Sequence, residues 1–82
     1  SNYTHLQLAD GTKVTASKTL KDFETILSQP NFFRIHHSHI INLHFIKRIT
    51  KADGCAVELL HGLQLDVARS KREEFLQKIA SI

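Results

Sequence analysis

The chain has 82 residues, 41% of them hydrophobic, one cysteine and a formal charge of +3. That is one small globular domain, which buries only about 60–65% of the surface its unfolded chain exposes. No run approaches the ~18 apolar residues of a membrane span, no signal-peptide pattern opens the chain, and Cys55 has no partner for an internal disulfide, all of which suits a reducing cytoplasm.

Residues 3–8 alternate, with Tyr3, His5 and Gln7 on one face and Thr4, Leu6 and Leu8 on the other, and predict a strand. Asp10-Gly11 is the favoured two-residue hairpin signal, and a second strand follows over 12–16. Thr19 is placed as an N-cap with Asp22 at N3. Leu20, Phe23, Ile26 and Leu27 form one apolar stripe of a helix. Gln29-Pro30-Asn31 ends that helix, because proline disfavours helical geometry in the residue before it.

Residues 32–49 are a core segment studded with hydrogen-bonding groups. Phe33, Ile35 and His37 share one face of a strand, Arg34 and His36 the other, and the alternation ends at Ser38. Ile40-Ile41-Asn42-Leu43 does not alternate and reads as a tight corner or one helical turn before a strand near Phe45. After Lys51, Asp53-Gly54 is a second turn, 55–60 the returning strand, His61-Gly62 a third turn, and 63–67 a clean alternation. Three hairpin-like turns in so short a chain mean antiparallel sheet. Ser70-Lys71-Arg72-Glu73 predicts a capping box, and Phe75, Leu76, Ile79 and Ile82 the buried face of a terminal helix.

Catalysis finds little support. Ser38 has His36, His37 and His39 nearby but no Gly-x-Ser-x-Gly elbow and no neighbouring carboxylate, and there is no glycine-rich phosphate loop. No enzyme and no cofactor are expected. Nor is a metal site: strand geometry sends His36 and His37 to opposite faces, and no cysteine or paired carboxylate completes a ligand set. His36 is expected to donate from a partly buried position into the local backbone.

The basic residues are more informative by position than by number. Arg34, Lys47, Arg48, Lys51, Arg69, Lys71 and Arg72 sit in or beside turns and element ends, where they reach phosphates, whereas the helix surfaces mix signs. Lys71 and Arg72, beside Arg69, are the better placed phosphate contacts, and His37 and Ser38 at the strand end are two more. Arg69 lies between a strand and a helix start, so its backbone is held from both sides. A planar donor on a fixed stem suits bidentate recognition of guanine O6 and N7, while surface pairing with Asp66 or Glu73 is the commoner fate of such a residue. Asn42 caps a short turn by default, or presents its amide to a groove edge or phosphate.

The order FFRIHHSHIINLHFIKRI resembles the heart of the LytTR domain, the DNA-binding output module of LytR/AlgR-type bacterial response regulators, whose pattern runs roughly F-x-R-[IVC]-H-x-S-[FYH]-[IVL]-[IV]-N-x-x-x-I. The match is dense and ungapped there. Tyr3, Asp10-Gly11, the first helix and Val67-Ala68-Arg69-Ser70 agree more loosely. The resemblance implies a mainly β domain over 1–82, built of small antiparallel sheets in an elongated arrangement with two flanking helices. It implies sequence-specific binding of double-stranded DNA by loops rather than a recognition helix. Arg69, Asn42 and Tyr3, with Asn2 as an alternative to Tyr3, are then the base-approaching residues: Arg69 and the Tyr3 loop in successive major grooves, Asn42 near the minor groove between. The family often has arginine where His37 stands, so histidine makes that contact weaker and pH-sensitive.

The resemblance also implies partners: DNA with repeated half-sites, a sensor histidine kinase acting through a receiver domain, and a dimer on DNA. The family usually carries a further N-terminal strand and an upstream receiver, neither of which this sequence contains. A domain cut near its N-terminus is expected, with Ser1-Asn2 as a cloning remnant the alternative. The rival reading, from a different class, is a small β-rich protein-interaction module that accepts a peptide strand at a sheet edge.

Overall fold

The computed structural model describes residues 2–82; Ser1, half of the Ser1-Asn2 pair, lies outside them. Thr4–Gln7 (β1) pairs antiparallel with Lys13–Ala16 (β2), Thr4 opposite Ala16. The turn between them is closed by the Leu8 N–H on the Thr12 carbonyl (2.8 Å) and by the Thr12 N–H on the Asp10 carboxylate (2.9 Å). The helix Leu20–Ile26 (α1) starts on the expected capping box. Asp22 N–H donates to Thr19 Oγ1 (3.1 Å) and Thr19 N–H to Asp22 Oδ2 (3.0 Å), which satisfies two backbone donors and lowers the Asp22 pKa.

Phe32–His36 (β3) and His39–Asn42 (β4) form the second hairpin. This corrects the reading of Ile40 to Leu43 as a tight corner or one helical turn. The chain turns at His37-Ser38, runs back as a strand, and bends only at the 3₁₀ turn Leu43–Phe45. The alternation misleads because both faces of β4 are covered: Ile41 is buried in the core and Ile40 half-buried on the opposite side. Ile46–Thr50 (β5), Ala56–Leu59 (β6) and Gln64–Asp66 (β7) make a three-stranded antiparallel sheet in that order. A 3₁₀ turn, Arg69–Lys71, leads into the helix Arg72–Ser81 (α2).

The capping box at Ser70 does not form. Ser70 lies inside the 3₁₀ turn, and Lys71, with φ −105° and ψ −8°, already has helical geometry at the position before α2. An N-cap side chain bonds back only from an extended residue, so Ser70 has no such bond to make.

The buried core is Phe33, Ile35, Ile41, Leu43, Cys55, Val57, Val67 and Phe75. It draws on β3, β4, β6 and α2, so the second hairpin, the three-stranded sheet and the last helix share one interior. The Phe33 and Phe75 rings lie 6.3 Å apart between centroids. The fold is mainly β, as expected, with small separate sheets, two helices and an elongated outline of 35 × 23 × 23 Å.

Candidate nucleic-acid interface

Each candidate residue sits on a turn or at an element end. Tyr3 lies just ahead of β1 and is 60% exposed. His37 and Ser38 form the tip of the β3–β4 hairpin, and Asn42 ends β4 at its other end. The four residues from Ser38 to Asn42 separate them by about 13 Å. Arg69 is exposed at the start of the 3₁₀ turn before α2.

The backbone around Arg69 is tied on several sides. Val67 N–H donates to the Cys55 carbonyl, Ala68 N–H to that of Ile35 and Lys71 N–H to that of Ala68, each at 2.8 Å. The side chain pairs with neither Asp66 nor Glu73. The ion pairs among the described residues are Arg34–Glu24 (3.1 Å) and Arg48–Glu58 (2.9 Å). A fixed stem with an uncommitted guanidinium is what a bidentate acceptor edge requires.

Its neighbours are held closer to the fold. The Lys71 ammonium lies 5.8 Å from the centroid of the Phe33 ring. The Arg72 guanidinium lies over Gly54, where an added Cβ would stand 2.9 Å from Nη2 and the φ of +112° already excludes most side chains. Arg72 Nε is buried without a partner. Both cations therefore offer charge near the surface rather than on a freely swinging arm.

The histidines differ from expectation. His36 and His37 do not diverge: their ring centroids are 4.3 Å apart, and those of His36 and His39 are 5.3 Å apart. The strand pairing slips between Arg34 and His36, so the tight His37-Ser38 turn folds His37 back over its neighbour. His36 also accepts rather than donates, taking the Ser38 N–H on Nδ1 at 3.1 Å, which puts the proton of the neutral ring on Nε2. Arg34 braces the turn from below, donating to the His37 carbonyl and to Glu24. No set of three or more His, Cys, Asp or Glu among the described residues is arranged to hold a metal ion.

Burial pushes the His39 pKa down from its ordinary 6.5, and the nearby His36 and His37 push the same way, against Asp66. The folded chain thus binds fewer protons at this group than the unfolded chain does below about pH 6.5. Stability from this source is complete above that pH and falls as the pH drops through and below it. The thermal midpoint is expected to fall between about pH 7.5 and 5.5, and by less in His39→Gln. An equal fall in both would assign the effect to other groups.

One polar residue escaped the sequence reading altogether. Asn31, taken only as part of a helix stop, donates from Nδ2 to Asn42 Oδ1 at 3.0 Å. Only the strand register, Phe32 opposite Asn42, brings the two together, and no local pattern encodes that.

Small antiparallel sheets on a shared core, with arginine, asparagine and basic residues on the turns and element ends, define a β-rich domain with two helices. The chain belongs to the LytTR family: the family model described as the LytTr DNA-binding domain matches residues 1–80. Among solved structures it is similar to the LytTr DNA-binding domain of a protein from Bacillus cereus described as a methyl-accepting/DNA response regulator. The TM-score is 0.76 and the identity 23%, over 95% of this chain and 81% of that one, a likeness that establishes the fold. No curated protein matches. The family is a DNA-binding one rather than a catalytic one, and no helix among the described residues is long and apolar enough to cross a membrane.

Proposed function

We propose that the domain binds double-stranded DNA sequence-specifically and is the output domain of a cytoplasmic response regulator that controls transcription in a two-component system. The observation that carries this is Arg69: exposed, without an ion pair, and mounted on a backbone bonded to β3 through Ala68. Arg69 reads a guanine edge, with Asn42 and Tyr3 the other two base-approaching side chains. His37, Ser38, Lys71 and Arg72 contact phosphates. The long dimension of 35 Å supports contacts spread over about one helical turn of DNA, roughly 34–36 Å. A sensor kinase acts on the domain through a receiver. Receiver-mediated dimers then raise its local concentration on repeated half-sites, so the isolated domain binds weakly.

The test is selection of preferred sites from a random duplex pool, followed by salt titration on the selected site. Arg48 brings a charge already compensated by Glu58, which leaves Lys47, Lys71 and Arg72 as the main phosphate cations. Three neutralised phosphates give a slope of about −2.7 in log affinity against log salt, and an affinity about 40-fold lower at ~200 mM than at ~50 mM. Absence of a motif together with flat salt dependence would remove this reading and leave the peptide-binding module.

A further inference from the structure

Asn42 is the last residue of β4 and caps the turn that follows. Its Oδ1 accepts twice, from the backbone N–H of His44 (3.0 Å) and from Asn31 Nδ2 (3.0 Å). The orientation of this amide is not a matter of choice. A backbone N–H only donates, so the atom facing it is the oxygen, and Asn31 must then present its NH₂. A carbonyl oxygen has two lone pairs, and both are used.

What remains of Asn42 is its own NH₂. It makes no hydrogen bond within the described residues and is not among the buried unpartnered atoms, so it is at least partly accessible at a half-buried position. Asn31 is itself clamped. Its carbonyl accepts the Leu43 N–H at 2.7 Å, and the next residue, Phe32, pairs with Asn42 across the hairpin and bonds back to the Gln29 carbonyl at 3.1 Å. The two amides are thus held face to face by backbone bonds on both strands.

We propose that Asn31 is a positioning residue which, with the His44 amide, saturates the Asn42 side-chain oxygen, so that Asn42 approaches DNA as a hydrogen-bond donor only. The inference rests on the reading of Asn42 as base-approaching and adds the polarity of its contact. A single asparagine amide that grips adenine at N6 and N7 must accept and donate at once, and this one has no acceptor left. In the minor groove, where the family resemblance puts this asparagine, the acceptors adenine N3 and thymine O2 remain open to it. They look alike in A·T and T·A, whereas guanine adds an amino donor that would oppose the Asn42 NH₂. The base pair facing Asn42 is therefore read as A·T or T·A without preference between them.

The experiment is site selection with the wild type, Asn42→Ala and Asn31→Ala, with the thermal midpoint of each recorded. It continues with binding to a selected duplex in which purine, which lacks the N6 amino group, replaces adenine at the pair that Asn42→Ala affects. Asn31→Leu, which keeps the volume but not the donor, takes the place of the alanine variant if that fails to fold. Both asparagine variants are expected to relax preference at the same single pair and to weaken binding roughly three- to tenfold. Loss of the N6 amino group leaves wild-type affinity unchanged.

A merely structural role for Asn31 would instead lower the midpoint and weaken all positions alike, which overturns the proposal. So does an N6 deletion that costs the wild type affinity but not Asn42→Ala; Asn42 would then stand as a base reader of the opposite polarity. If Asn42→Ala relaxes no pair, its base-reading role falls, and the donor-only contact falls with it.

Discussion

Phe75→Ala is expected to destabilise the domain by about 3–5 kcal/mol, the usual cost of removing a fully buried phenylalanine. Phe75 has no exposed surface and faces Phe33, which in turn carries the Lys71 ammonium on its ring. A chain of this size has a total stability of only about 4–12 kcal/mol, so this one substitution removes from about a quarter of it to all of it. The thermal midpoint should fall by about 12 °C or more. Urea unfolding of the two proteins measures the difference directly. A loss under about 1 kcal/mol would mean that α2 is not what closes the core. The same substitution should weaken DNA binding only as far as it unfolds the domain, because Phe75 has no surface to offer a ligand.

Arg69→Ala and Lys71→Ala, two residues apart, are expected to fail differently. Loss of a bidentate contact to guanine costs about 1–3 kcal/mol and relaxes preference at that base pair. Arg69 is exposed and makes no ion pair, so its removal leaves no unpaired group behind and the thermal midpoint should hold. Lys71→Ala removes a phosphate contact. Binding then weakens by a similar factor on every sequence, and the salt slope falls by about one. It also removes the cation over Phe33, so a small stability loss, about 0.5–1 kcal/mol, accompanies it. Paired binding curves on selected and scrambled duplexes separate the two. Uniform weakening by Arg69→Ala would make it one more phosphate anchor.

Three of the four hairpin turns were legible from local chemistry. Gly11, Gly54 and Gly62 all have positive φ, and each closes the hairpin its dipeptide announced. Thr19 and Asp22 form the box their spacing suggested. The same spacing failed at Ser70 because a 3₁₀ turn, set by the bonds of Val67 to Cys55 and of Ala68 to β3, decides where α2 begins. β4 was hidden because a strand covered on both faces does not alternate. The His36–His37 contact was hidden because a slipped register is not a property of either residue. As for the candidate site, Arg69 and Asn42 were legible as residues, but Asn31 was not. Its meaning depends on a partner eleven positions away in sequence.

The three proposed base-reading positions do not rest on equally stiff ground. Asn42 and the Arg69 turn are both bonded to β3 or its flank, beside the shared core. The β1–β2 hairpin, which follows Tyr3, stands across a largely apolar cleft of about 610 Å³ lined by Leu6, Leu8, Phe23, Phe32, Ile40 and Leu63. A bond between His61 Nε2 and the Ala9 carbonyl (2.6 Å) spans it at the hairpin tip, while Thr4 Oγ1 on the Lys18 carbonyl (2.7 Å) holds the base of the hairpin to the segment that follows it. In engineering terms the domain is a caliper with one jaw built into the core and the other set across a cleft from it. On the proposed reading, inserting a base pair between the Arg69 and Asn42 contacts leaves no way to meet both. An insertion between Asn42 and the Tyr3 contact is expected to cost less, because the arm that carries Tyr3 stands outside the shared core.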